Sequence, residues 1–156
     1  MIGKEYINRV DNSFYVYNNE AFVFGVIQEI IIIKNKINIG RLFILICLLL
    51  QDKLINNPRI NEYNSLNEFL IDNTSNITQF PKIFQELLPI IVNALTLMEE
   101  SDIIELRGDN IVYNLHIEYL FNSNRLDKIK IVIPKIFQVT ESLPDKQLYD
   151  LLNVQL

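Results

Sequence analysis

Three features of this chain carry residue types that could do chemistry, and each lacks the companions that the chemistry needs. Cys47 is the single cysteine and lies within Leu42-Phe43-Ile44-Leu45-Ile46-Cys47-Leu48-Leu49-Leu50. A thiol surrounded by aliphatic neighbours reads as a buried, inert packing group. His116 is the single histidine; as a general acid or base it would need a nucleophile and an orienting partner delivered by the fold, so it reads as a structural or surface residue. One cysteine and one histidine cannot make a Cys/His zinc site. The densest acidic run is Glu99, Glu100, Asp102 and Glu105, and paired carboxylates can serve glycosidic or metal chemistry. At a junction between helix and strand this run reads instead as a solvated helix end. Acids there oppose the helix dipole by about 0.3–1 kcal/mol, which calls for a helix stop or a compensating cation from a partner.

Phosphate-binding loops need clustered glycines, but Gly3, Gly25, Gly40 and Gly108 stand singly, and no nucleotide fingerprint is present. Lys34, Lys36 and Arg41, like Lys128, Lys130 and Lys135, form basic groups too sparse to predict phosphate binding. No catalytic, cofactor or metal residues are assigned, and the expectation is a protein that is not an enzyme.

The elements that position these residues follow from composition and spacing. Of 156 residues, 49% are hydrophobic and 21% charged, with 14 Lys plus Arg against 19 Asp plus Glu. A chain of this length buries about two-thirds of its unfolded surface, enough for one domain over residues 1–156 without disulfides or metals. The net charge of −5 disfavours an overall electrostatic grip on nucleic acid or an anionic membrane. The apolar run from Leu42 to Leu50 is less than half of the roughly 20 residues that span a bilayer, and Arg41 and Asp52-Lys53 bracket it. With no signal-peptide organisation at Met1-Ile2-Gly3-Lys4-Glu5-Tyr6 and no possible intramolecular disulfide, the expected compartment is cytoplasmic. The heavy use of Ile and Asn, as in Glu29 to Asn38, reads as a mark of an AT-rich genome, so periodicity has to decide the elements.

Residues 1–17 read as an extended lead-in and residues 18–100 as helical. A first helix is predicted from Asn19 to Lys36, opened by Asn18-Asn19-Glu20. A second is predicted from Gly40 to Ile55, apolar on nearly every side and closed by Asn56-Asn57-Pro58. Ser65-Leu66-Asn67-Glu68 fits a capping box for a short helix ending near Asp72-Asn73. Phe84, Leu87, Leu88, Ile91, Ala94, Leu95 and Met98 mark one face of a long helix, in which Pro89 predicts a kink or break near Leu88. Residues 101–116 read as a hairpin or wing: Ile103-Ile104-Glu105-Leu106 and Ile111-Val112-Tyr113-Asn114-Leu115 flank a turn at Arg107-Gly108-Asp109-Asn110. The Arg-Gly-Asp tripeptide is here a turn, not an adhesion motif. C-terminal helices fill residues 125–154: one through Leu126, Ile129, Ile133, Ile136, Phe137 and Thr140 with Pro134 inside, and one opened by Ser142-Leu143-Pro144-Asp145 with Leu148, Leu151 and Leu152 as its stripe. The expected fold is mostly α with a small β-hairpin, a winged-helix-like single domain. Two helices apolar on most faces in so small a domain leave an excess of apolar residues, which fits either a permanent partner or simply an Ile-rich core.

The order of these segments resembles the middle component of ABC-three-component systems, small bacterial proteins encoded between an SMC-like ABC ATPase and an effector in antiphage defence operons, related to Lamassu-type systems. Tyr17-Asn18-Asn19-Glu20-Ala21-Phe22 is similar to the family's Asn-Pro-Ala opening of its first helix, with Glu20 in place of the proline. Arg41 to Leu50 matches the apolar second helix, and Asn57-Pro58-Arg59 the short polar exit. Ser65 to Phe69 resembles the following small helix, and Leu88-Pro89 through Ala94-Leu95 the proline-bearing helix that leads into the hairpin. Leu148-Tyr149-Asp150-Leu151-Leu152-Asn153-Val154 is similar to the closing pattern, with Asn153 where a Gly often precedes the last Val. The arginine-rich character common in the family's later helices is missing. The resemblance covers Tyr17 to Val154. It implies a non-enzymatic adaptor that joins an SMC-like ABC ATPase to an effector subunit, a nuclease or related toxin, and meets DNA only through that complex. Candidate contact residues are Phe22, Val26 and Glu29 on the first helix, Arg107, Asp109 and Tyr113 on the hairpin, and Tyr149 and Leu152 on the last helix. The rival is a winged-helix DNA-binding regulator, but its recognition helix, Lys82 to Glu100, carries one Lys and three Glu.

Overall fold

The computed structural model describes residues 20–114 and 123–155. Helix α1 occupies residues 20–34 and stops at Asn35, whose φ of 53° is left-handed, a conformation that Asn tolerates and that ends a helix. Strand β1, Lys36–Asn38, follows directly. Asn38 then caps helix α2, Ile39–Leu49, by accepting from the Gly40 and Arg41 N–H groups. After a break at Leu50-Gln51 come α3, Asp52–Ile55, a 3₁₀ turn at Ile60–Glu62, α4, Leu66–Asp72, and α5, Thr74–Ile77. The Ser65 hydroxyl accepts from the Glu68 N–H, and the Glu68 carboxylate reaches back to the Asn64 N–H at 2.9 Å, a capping box shifted outward by one residue.

Helix α6, Phe80–Glu100, begins with Pro81 in its first turn, where a missing N–H costs nothing. It ends in a Schellman turn. Asp102 is left-handed at φ 58°, and the Ile103 and Asp102 N–H groups donate back to the Met98 and Glu99 carbonyls. That turn aims the chain into strands β2, Ile104–Arg107, and β3, Asn110–Tyr113. Gly108, at φ 60°, takes the first place of their two-residue turn, where a positive φ requires glycine. Both outer strands pair antiparallel with β3, in the order β1-β3-β2, and Ile37 and Leu106 flank Ile111. Helices α7, Asn124–Thr140, and α8, Asp145–Leu151, complete the chain.

The protein is thus mostly helical with a small three-stranded antiparallel sheet. One apolar cluster runs from Phe22 to Val154 with α2 at its centre. Several expectations need correction. Residues 18–100 are not all helical, because Lys36–Asn38 forms an edge strand on the hairpin; this also shortens the first helix by two residues. The predicted helix from Gly40 to Ile55 is two helices, since Gln51 is extended (φ −87°, ψ 103°) and restarts the chain at Asp52. Neither Pro89 nor Pro134 breaks its helix. Residues 1–17 and His116 lie outside the described residues.

Helix α8 ties α2 down from one side. The Tyr149 hydroxyl donates to the Gly40 carbonyl at 2.7 Å, and its ring meets Phe84 edge-on at 6.1 Å. A Cβ on Gly40 would lie 3.1 Å from that hydroxyl oxygen and 3.2 Å from Asn38 Oδ1, so glycine lets both side chains approach without shifting. Arg41 Nε donates to Asp145 at 2.6 Å, while its terminal nitrogens donate to the Thr140 carbonyl, at 3.1 Å, and to the Leu143 carbonyl. One cation thereby closes the C-terminal end of α7 and anchors the start of α8.

Candidate partner-binding face

Helix α6 is the longest and presents two different faces. Phe80, Phe84, Ile91, Ala94, Leu95 and Met98 are buried at spacings of three and four, and they dock on α2 and β2. The exposed side is mixed: Pro89, Val92 and Leu97, the last two exposed by 47% and 49%, stand among Lys82, Gln85, Glu86, Asn93, Thr96, Glu99 and Glu100. Only 28% of the helix's most apolar 18-residue window is buried, and by length and composition alone the helix could cross a membrane. A core helix of this apolarity is normally covered on several sides.

Along the α1 side of α6 runs an open cleft of about 400 Å³, floored by Phe22, Val23, Leu50, Ile83, Leu87 and Ile90 and edged by polar side chains, among them Asp52, Glu86 and Arg125. Arg125 builds its wall. Its Nε donates to Asp52 at 2.8 Å, a terminal nitrogen donates to the Leu50 carbonyl at 2.9 Å, and the guanidinium lies 4.4 Å from the Phe22 ring centroid. That cation is thereby held by charge, by a carbonyl dipole and by the aromatic ring. At the far end of the cleft the Asn93 amide donates to Glu20 at 3.2 Å, joining α6 to α1.

The C-terminal end of α6 is concentrated negative charge. Glu99, Glu100 and Asp102 are exposed, the last turn holds no basic residue, and the helix dipole adds its own negative end. The neighbouring hairpin offers no relief, because Arg107 donates to Glu105 at 2.8 Å on its own strand. That bond holds the Glu105 carboxyl below the usual carboxylate range.

No protein-family model, curated protein or solved structure matches the chain. The site is therefore defined by its own geometry. Among the described residues, no group of three or more His, Cys, Asp or Glu could hold a metal ion. Burial pushes the Cys47 thiol up to about 12, which leaves it protonated at neutral pH and without nucleophilic character.

The eight residues expected to meet a partner separate into two groups. Arg107 and Asp109 are exposed at the hairpin tip, and Tyr113 is half-buried. Phe22, Val26, Glu29, Tyr149 and Leu152 belong to the core instead. Val26 faces inward from α1. Glu29, only 7% exposed, pairs with Lys130 of α7 at 3.4 Å. Tyr149 is spent on Gly40. Phe22 and Leu152 contribute only floors, Phe22 to the cleft and Leu152 to a second apolar hollow of about 360 Å³ beside Ile71 and Leu151. Periodicity in α1 and α8 shows which residues share a face but not which face turns outward. Val92, Leu97 and Arg125 were passed over. Val92 and Leu97 were legible as apolar residues left off the Phe84–Met98 stripe; nothing in the sequence marks Arg125.

Proposed function

We propose that this chain is a non-catalytic adaptor subunit that joins an SMC-like ABC ATPase to an effector in a bacterial antiphage defence complex, acting in the cytoplasm. The observation that carries this reading is the open apolar cleft beside α6, with Leu97 exposed beyond it and nothing among the described residues covering it, a surface better explained by a partner than by solvent. The segment order that resembles the middle component of ABC-three-component systems supports it. Even its departure at Asn153 is conservative in conformation: the residue is left-handed at φ 54° in a Schellman turn, with the Val154 and Asn153 N–H groups on the Tyr149 and Asp150 carbonyls. Glycine and asparagine are the two residues that such a position favours. In this role the subunit holds the effector until DNA sensing by the ATPase shifts the complex to another arrangement.

A winged-helix architecture belongs to the same proposal. The succession α1-β1-α2, the long α6 and the β2-β3 hairpin, with strand order β1-β3-β2, fits it, and α6 then takes the place of the recognition helix. This fit also supports the rival, a DNA-binding regulator. Charge argues against the rival, since α6 carries Glu86, Glu99 and Glu100 against Lys82, and phosphates repel such a face. Co-expression with the neighbouring genes of its operon tests the adaptor reading: it expects co-purification with an ATPase bearing long coiled-coil arms and with the effector. A partner-free monomer from that co-expression contradicts it. A gel shift that weakens steeply with salt would favour the regulator.

A further inference from the structure

Resting on the adaptor reading, we infer that the outer side of α6 docks an amphipathic helix from a partner protein, one whose apolar stripe is flanked by Lys and Arg. The cleft floor of Ile83, Leu87 and Ile90 continues past Asn93 to exposed Leu97 and then to Glu100, all at helical spacing. Pro89 borders this stripe, whereas Val92 lies about 140° around the helix from Leu97 and off it. The length from Ile83 to Leu97 corresponds to about 21 Å, which a partner helix of about 14 residues covers, and an apolar stripe laid into a groove is a recurrent mode of helix recognition.

Charge selects the occupant. Among the described residues none of the ion pairs reaches Glu99, Glu100 or Asp102, so the far end of the stripe presents uncompensated carboxylates on top of the negative helix terminus. The single Lys of α6, Lys82, stands at the opposite end near Glu86. A helix with basic residues at one end therefore gains there, whereas DNA and an anionic bilayer are both repelled. The same features give orientation: the basic end of the partner helix lies over the C-terminal end of α6.

The probe is a fluorescein-labelled 15-residue Leu/Lys amphipathic helix titrated with the full chain, against a Leu/Glu helix of the same pattern. The Leu/Lys helix binds at least tenfold more tightly. Leu97→Glu weakens it tenfold or more, the double change Glu99→Gln, Glu100→Gln weakens it and flattens its salt dependence, and Val92→Glu on the other side of α6 and Ile131→Glu on exposed α7 surface (73% exposed) leave it unchanged. Equal binding of the two helices, no binding, or indifference to Leu97→Glu overturns the inference. So does binding of duplex DNA or phosphatidylglycerol vesicles that the same substitution abolishes. If the operon partners co-purify undiminished with Leu97→Glu in place, this docking face is wrong and the adaptor reading stands. If the Leu/Lys helix binds as described and neither operon partner co-purifies, the docking face stands and the adaptor reading falls.

Discussion

Helices α2 and α6 are both rich in aliphatic residues, yet the protein treats them in opposite ways. In α2, eight of eleven residues are buried, with β1, α3, α6, α7 and α8 closing around it. In α6 only six of twenty-one are, and Pro89, Val92 and Leu97 stand exposed among polar neighbours. The contrast teaches that aliphatic content alone does not tell an enclosed helix from one at the surface; what separates them is how many neighbours the chain itself supplies.

Matched truncations break or sharpen that contrast most directly. Leu45→Ala, in the fully enclosed centre of α2, is expected to cost about 2–5 kcal/mol of stability. Leu97→Ala on α6 removes the same atoms and is expected to stay within about 0.5 kcal/mol. Urea denaturation of the two variants decides this, and equal losses would erase the distinction between the two helices. Next in size is Arg41→Ala. It strips the carbonyls of Thr140 and Leu143 and the Asp145 carboxylate of their shared donor, with an expected loss of about 2–3 kcal/mol in the same measurement. Tyr149→Phe leaves the buried Gly40 carbonyl without its donor and is expected to cost about 1–2 kcal/mol.

The last effect, absent at neutral pH, is one of titration. Burial pushes the Cys47 thiol from 9.0 up to about 12, and burial, with Cys47 and Asp145 adding to it, pushes the Tyr149 phenol from 10.0 up to about 12. Both groups hold their protons more tightly when folded. Their contribution is therefore complete below pH 9 and lost as the pH climbs toward 12. Thermal unfolding midpoints are expected to fall across that window, and to fall less steeply in Cys47→Ala.

The stripe of α6 was legible because Phe84, Ile91, Ala94, Leu95 and Met98 repeat at three and four while the other side varies. The hairpin was legible from Gly108 and the β-branched runs beside it. Strand β1 was not: three residues, Lys36-Ile37-Asn38, cannot show a period of two, and Asn38 serves as strand end and helix cap at once. The break at Gln51 was hidden for a related reason, since Leu48-Leu49-Leu50 continues the apolar texture up to the turn and Asp52 was the only sign of a fresh helix start. Glu29 misled because a charged residue on an apolar helix reads as solvent-facing, whereas Lys130, 101 positions away, compensates it inside the fold. Long-range pairs of that kind have no local signature.

The central claim is that the outer side of α6 is where this subunit meets its partner. Co-purification of the proposed ATPase and effector with the Leu97→Glu variant tests it most directly, with circular dichroism and urea denaturation run on the same preparation. The predicted result is a folded subunit of near-normal stability that has lost at least one of the two partners retained by the wild type. Retention of both partners by that folded variant would contradict the claim.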